Sequence, residues 1–244
     1  MNLVIDRGNT QVKFGIFDQR QIIHSDYSDF LDKQTVKSIN TQFNISKVII
    51  STVVSERHDE LLGNLSDIDT TPIILNANTP LPFEWQYETK STIGLDRLAA
   101  VAGAISLYPN TNLLVIDAGT AITYELINQS NVFLGGNISP GMSMRYKALN
   151  HFTSKLPLLN QDPNQKLIGQ STDEAIRAGV QNGIKYEIDG LIDELNAQYK
   201  QLKTIITGGD ADFFARKLKN PIFVHPNLVL IGLNRILEYN AQYI

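Results

Sequence analysis

Two short segments of this chain end an apolar run in aspartate and follow it almost at once with glycine. The first is Asp6-Arg7-Gly8-Asn9-Thr10-Gln11-Val12-Lys13. Glycine lets the main chain approach a phosphate closely, Asn9 and Thr10 add neutral donors, and Lys13 adds a cation. The Asp6 carboxylate suits magnesium, directly or through water, because magnesium takes oxygen ligands and keeps part of its water shell. The same residues also make an ordinary hairpin turn, since Gly and Asn are turn formers. The second segment, Asp117-Ala118-Gly119-Thr120-Ala121-Ile122-Thr123, repeats the arrangement. Two such turns could grip a nucleoside triphosphate and its cations between them.

Three further segments carry candidate chemistry. Gly94-Leu95-Asp96-Arg97 opens a helical pattern. An aspartate there is commonly a cap or a partner of the helix dipole, but beside an arginine it can also orient an alcohol and accept its proton. Thr207-Gly208-Gly209-Asp210-Ala211 is a strand-to-helix turn with no side chain at two positions. That gap admits a flat adenine ring or a phosphate, and it is equally how plain turns of this kind are made. Gly135-Gly136-Asn137-Ile138-Ser139-Pro140-Gly141 reads as a loop too rich in glycine for regular structure, packed against a ligand. The spacing of a P-loop is absent, and so is that of a dinucleotide-binding glycine motif.

The elements that must position these residues follow from an internal repeat. Leu3-Val4-Ile5-Asp6-x-Gly8 recurs as Leu114-Val115-Ile116-Asp117-x-Gly119, shifted by 111 residues, with Thr10 and Thr120 close behind. Each copy predicts a buried strand, a glycine turn and a second strand, Val12 to Phe17 and Ile122 to Ile127. The chain therefore divides into two related halves, 1–108 and 109–244, facing each other across a cleft. Between the hairpins, Lys47 to Val54 and Thr71 to Leu75 read as strands, and Asp96 to Leu107 as a helix. A long helix begins after Ser171, with an apolar stripe from Ala175 to Leu195 that Gly183 and Gly190 could interrupt or tighten. Leu156 to Lys166 reads as a loop, Lys203 to Thr207 as a strand and Leu228 to Tyr239 as a closing helix.

Composition narrows the chemistry. Against 25 Asp and Glu stand 21 Lys and Arg, a net charge of −4, which argues against a nucleic-acid binder working through a broad basic face. The absence of cysteine removes disulfides, thiol nucleophiles and Cys-ligated zinc. His24, His58, His151 and His225 are scattered, with none four residues from another, so a histidine-rich metal site is not expected. No run approaches the roughly 18–20 apolar residues needed to span a bilayer, and the N-terminus turns acidic too early for a signal peptide. A cytoplasmic enzyme of oxygen chemistry is the expectation.

Taken in order, Asp6-x-Gly8-Asn9-Thr10, Gly94-Leu95-Asp96-Arg97, Asp117-x-Gly119-Thr120-x-x-Thr123, Gly135-Gly136-x-Ile138-x-Pro140-Gly141 and Thr207-Gly208-Gly209-Asp210 resemble the motifs of type III pantothenate kinase. The resemblance covers nearly the whole chain. It implies an α/β fold of two duplicated ribonuclease-H-like halves around a nucleotide-binding cleft, as in the acetate and sugar kinase, heat-shock ATPase and actin superfamily. It further implies ATP-dependent phosphorylation of pantothenate to 4′-phosphopantothenate, the first step towards coenzyme A.

Residue by residue, the resemblance gives Asp6, Arg7, Gly8, Asn9, Thr10, Gln11, Val12 and Lys13 to the ATP phosphates and magnesium, with Thr120 as a further phosphate contact. Asp96 is the implied base. Tyr87, Gly94, Leu95, Asp96 and Arg97 line the substrate pocket, Arg97 suiting the pantothenate carboxylate by its bidentate fork. Asp117 takes a monovalent cation, potassium or ammonium, and Thr172 reaches pantothenate from the partner in a homodimer. One position departs from the family: Lys90 stands where a proline is usual, which predicts a looser Tyr87–Ile93 loop. Another small-molecule kinase of the superfamily, or a non-catalytic transcription accessory factor, is the competing reading. Asp6, Asp96 and Asp117 together favour the kinase, because a pure binding module has no need of all three.

Overall fold

The computed structural model describes residues 1–8, 11–52 and 58–242. Asn9 and Thr10, and the Val53–Val54 end of an expected strand, lie outside the described residues. The chain forms two compact units, Met1–Pro109 with Asn227–Ile244, and Asn110–Pro226.

In the first unit, β1 (Asn2–Arg7), β2 (Val12–Asp18) and β3 (Gln21–Ser28) form an antiparallel meander. Helix α1 (Lys33–Phe43) leads to β4 (Lys47–Thr52), which pairs parallel with β1. Helix α2 (His58–Asn64) leads to the short β5 (Ile73–Ile74), parallel to β4, and the sheet order is β3-β2-β1-β4-β5. A short strand, β6 (Glu84–Trp85), and a 3₁₀ turn over Lys90–Thr92 precede helix α3 (Leu95–Leu107).

Strand alternation sends side chains to opposite faces. Leu3, Ile5, Val12, Phe14, Ile16, Val48 and Ile50 pack with Val36 and Ile39 of α1 and Leu61 of α2. Val4, Phe17 and Ile49 pack on the other face with Ala99 and Ala102 of α3. A central strand covered on both faces must be apolar throughout, which is why Leu3-Val4-Ile5 is an unbroken run.

The second unit repeats this plan. Strands β7 (Leu113–Ala118), β8 (Ala121–Ile127) and β9 (Val132–Pro140) form the meander, and β10 (Lys203–Thr207) and β11 (Phe223–Val224) add parallel to β7. Their order, β11-β10-β7-β8-β9, is that of the first sheet with the same strand directions. The 111-residue repeat is thus a repeat of topology. Asp6 faces Lys13 across its hairpin whereas Asp117 faces Thr123, so the second turn is one residue shorter. Helices α4 (Met142–His151), α5 (Thr172–Gln198) and α6 (Ala211–Ala215) cover one face of the sheet, where Leu114, Ile116, Ile122 and Ile206 meet Tyr146, Ile176, Val180, Ile184, Ile188 and Phe214.

Three expectations are corrected, and the open alternative for the α5 glycines is decided. The 135–141 segment is not a free loop: Val132–Pro140 is a strand, and its glycines answer to packing. Gly135, at φ +130, sits where the β8–β9 register shifts, and a Cβ on Gly136 would strike the Tyr124 carbonyl and the Glu125 carboxylate. The second half does not extend to 244, because α7 (Leu228–Asn240) packs on α3 in the first unit. Gly232 and Gly103 allow that approach: a Cβ on either would collide with the facing helix backbone. Helix α5 runs through Gly183 and Gly190 without a break. The strand expected over Thr71–Leu75 contracts to Ile73–Ile74.

Ser171 caps α5, accepting from the Glu174 amide at 3.3 Å, while Glu174 reaches back to the Gln170 amide at 2.8 Å. Among the described residues, no helix is long and apolar enough to cross a membrane.

Candidate active site

In the first unit, Asp6 ends the apolar part of β1 on the face that carries α3 and α7, the same face as Val4. Lys13 is its cross-strand neighbour on β2, and Ser51 its neighbour on β4. The turn closes with the Gly8 amide donating to the Gln11 carbonyl at 3.1 Å. Not all eight expected phosphate contacts present side chains there. Arg7 falls on the opposite face and is 8% exposed, and its Nη1 has no hydrogen-bond partner among the described residues. Val12 is buried in the apolar core. Any contribution from these two to a ligand above Asp6 comes through the main chain.

Asp96 lies in the first turn of α3, where its Oδ1 accepts from the Arg97 amide at 2.8 Å. Gly94 caps the helix, and its missing Cβ leaves room for that carboxylate. Arg97 is 5% exposed, unusual for a cation without a local purpose. Its guanidinium lies 5.4 Å from the Tyr87 ring centre, and its Nη1 is 3.5 Å from the Tyr87 hydroxyl. Tyr87, Gly94, Asp96 and Arg97 are therefore brought together. Thr92 donates to the Thr89 carbonyl through its amide at 3.1 Å and its hydroxyl at 3.0 Å, and the Lys90 ammonium stacks 4.9 Å from the Trp85 ring centre.

In the second unit, three of the glycine turns converge through the main chain. The Gly119 amide donates to the Ala121 carbonyl at 3.1 Å, Gly141 to Thr120 at 3.1 Å and Asp210 to Ala118 at 2.9 Å. Asp117 sits at their centre, beside Thr123 on β8 and Thr207 on β10. Gly208, at φ +93, lies against it, and a Cβ there would collide with the Asp117 carboxylate. Burial pushes the Asp210 carboxyl above its ordinary value. Asp210 borders a cavity of about 350 Å³ shared with Met142, Tyr146, Leu158 and Asn160.

Sequence reasoning missed the side chains that hold these turns. Arg145 of α4 donates from Nε to the Pro140 carbonyl at 2.8 Å and from Nη2 to Glu187 at 2.5 Å. Glu187 of α5 also accepts from the Tyr124 hydroxyl at 2.6 Å and the Ser139 hydroxyl at 2.5 Å. Burial pushes the Glu187 carboxyl up, but the bonds from Arg145, Ser139 and Tyr124 outweigh it and the net direction is down. The one signal in the sequence was a glutamate directly beside the inward Ile188. Thr172 is exposed at the start of α5, on the rim of an apolar groove of about 690 Å³ lined by Ala148, Leu149, Leu156, Ile176 and Val180.

The repeated sheet with its paired aspartate turns defines a member of the sugar-kinase and actin-like ATPase fold class. Solved structures agree. A protein described as a Baf family transcriptional activator from Campylobacter jejuni aligns with a TM-score of 0.63 at 23% identity, covering 98% of this chain and 99% of that one. The activator of 2-hydroxyisocaproyl-CoA dehydratase from Clostridium difficile, solved with ADPNP, aligns at 0.55 and 14% identity, covering 99% and 96%. At these identities the likeness is one of fold. The family profile of type III pantothenate kinase matches residues 2–194. A type III pantothenate kinase from Bacteroides fragilis is 42% identical over 240 residues, 98% of either chain. The chain belongs to the type III pantothenate kinase family.

Proposed function

We infer that this chain transfers the γ-phosphoryl group of ATP to the pantothenate hydroxyl, giving 4′-phosphopantothenate at the entry to coenzyme A synthesis. Family membership carries the reaction. The observation that best supports the residue roles is the cluster at the start of α3, where a half-buried carboxylate, a buried guanidinium and a phenol stand together.

Phosphoryl transfer asks a protein mainly to position groups and neutralise charge. Asp96 aims the hydroxyl at the γ-phosphate and accepts its proton. Arg97 takes the pantothenate carboxylate, with Tyr87 limiting how the guanidinium swings. Gly94 and Leu95 form the wall beside them. Gly8, Gln11 and Lys13 hold phosphate oxygens, joined by Asn9, Thr10 and Thr120.

The described residues contain no group of three or more His, Cys, Asp or Glu that could hold a metal. A single carboxylate at Asp6 fits magnesium, which reaches its coordination through water and phosphate oxygens. Bound there, magnesium supplies charge neutralisation for the phosphates. Asp117, facing the same chemistry in the second unit, is assigned to potassium or ammonium. An uncompensated carboxylate near phosphate is costly at low dielectric.

A homodimer is also part of this reading, although the apolar stripe of α5 packs into the unit's own core and offers no face to a partner. The apolar groove beside Thr172 and the exposed Phe152, Leu167 and Ile168 support it instead. Small molecules, not nucleic acid or membrane, are the ligands, and the cytoplasm is the compartment. The test is a coupled assay with pantothenate, ATP and magnesium, with and without potassium, run beside a panel of sugars and acetate. Turnover of a panel member in preference to pantothenate sinks the reading.

A further inference from the structure

Ser51 is fully buried, and its hydroxyl has no hydrogen-bond partner among the described residues. A buried hydroxyl left unsatisfied costs stability, so its retention calls for a reason. Its place in the sheet supplies one. Ser51 follows Ile49 by two positions on β4, and Ile49 belongs to the core on the α3–α7 face. Asp6 follows Val4 by two positions on β1, on that same face. The parallel register sets Asp6 directly opposite Ser51, and the antiparallel register sets Lys13 on its other side. Cross-strand neighbours on one face stand about 5 Å apart at their β-carbons, within reach of a hydroxyl and a carboxylate or of a water between them.

The duplication supplies an independent observation. In the second unit Thr207 of β10 stands opposite Asp117, as Ser51 stands opposite Asp6. Thr207 is also buried. Each aspartate turn thus has a buried hydroxyl residue at the same place on the adjoining parallel strand.

We propose that Ser51 is a positioning residue of the Asp6 cation site: its hydroxyl takes its partner from the Asp6 carboxylate, or from a water held with it, when a divalent cation and nucleotide are loaded. This rests on the assignment of magnesium to Asp6. The hydroxyl has an energetic cost in the free chain and is repaid in the loaded one, the pattern expected where stability is given up for function. Ser51 neither touches the γ-phosphate nor accepts a proton; it fixes the orientation of a carboxylate that does the binding.

The test measures Mn²⁺, standing in for magnesium, by electron spin resonance in the presence of ADP, alongside thermal unfolding of the ligand-free protein. Ser51→Ala removes an unsatisfied group, so the free variant should unfold at the wild-type temperature or above it. Its Mn²⁺ affinity should fall about fivefold or more, roughly 1 kcal/mol, and Ser51→Thr should recover most of that loss. Ser51→Ala binding Mn²⁺ as wild type does, while Asp6→Asn does not, overturns the Ser51 role and leaves Asp6 in place. A lower unfolding temperature for free Ser51→Ala also overturns it, since the hydroxyl would then have a structural partner. If wild type itself takes up no Mn²⁺ with ADP, the magnesium assignment falls and this inference with it.

Discussion

The Asp117 carboxylate occupies the space that a side chain on Gly208 would need. The two residues come from opposite ends of the second unit's sequence and meet because β10 pairs parallel with β7, Thr207 beside Asp117. Gly208→Ala therefore faces both a left-handed backbone and a collision. We expect a loss of about 1–3 kcal/mol in stability and a weakened response to potassium. Thermal unfolding and a potassium titration of activity check this. An alanine variant as stable and as potassium-responsive as wild type would show that the turn tolerates displacement.

Asp96→Asn should abolish turnover while leaving folding and pantothenate binding largely intact, because the amide keeps the size of the side chain and loses the base. Retention of more than about a tenth of wild-type kcat, roughly 1.4 kcal/mol of barrier, removes Asp96 from the base role. Calorimetric titration with pantothenate separates loss of chemistry from loss of the pocket.

Replacing sodium by potassium or ammonium at constant ionic strength should raise activity steeply, and Asp117→Asn should lose that response. Asp6→Ala should instead impair use of magnesium-ATP. Equal activity of wild type in sodium and potassium defeats the Asp117 assignment, though the kinase reading survives it.

Glu187 makes stability depend on pH. Its carboxyl titrates below the ordinary value in the folded chain, so its contribution is fully present above the unfolded pKa, about 4.3, and is lost as pH falls through the lower folded value. Glu187→Gln should destabilise by about 1–2 kcal/mol at pH 7, a range that discounts for partial exposure. The gap between variant and wild type should close below pH ~4. Unfolding temperatures of both proteins across pH measure the difference directly. A gap that widens in acid contradicts the sign.

Light scattering at assay concentration should report a two-fold dimer, and Thr172→Ala should raise KM for pantothenate more than it lowers kcat. An active monomer refutes the shared-site arrangement.

Local chemistry made the aspartate turns and the repeat legible in the sequence. Strand–Asp–x–Gly needs only neighbouring residues, and two copies of an unbroken apolar run reveal a central strand twice. The start of α3 was legible for the same reason: Gly94, Asp96 and Arg97 lie within one helical turn. What failed depended on distant partners. The 135–141 glycines looked like a loop, because the Tyr124 carbonyl and Glu125 carboxylate that exclude a side chain there belong to another strand. Helix α7 could not be assigned to its unit from its own residues, since Gly103 sets its approach from more than a hundred positions away. The Arg145–Glu187 pair and the Asp6–Ser51 register lie beyond any local pattern for the same physical reason. Sequence by itself determined which residues could bind charge and which segments are buried strands; strand register and helix packing decided which of those residues face one another, because those depend on burial and pairing across the whole chain.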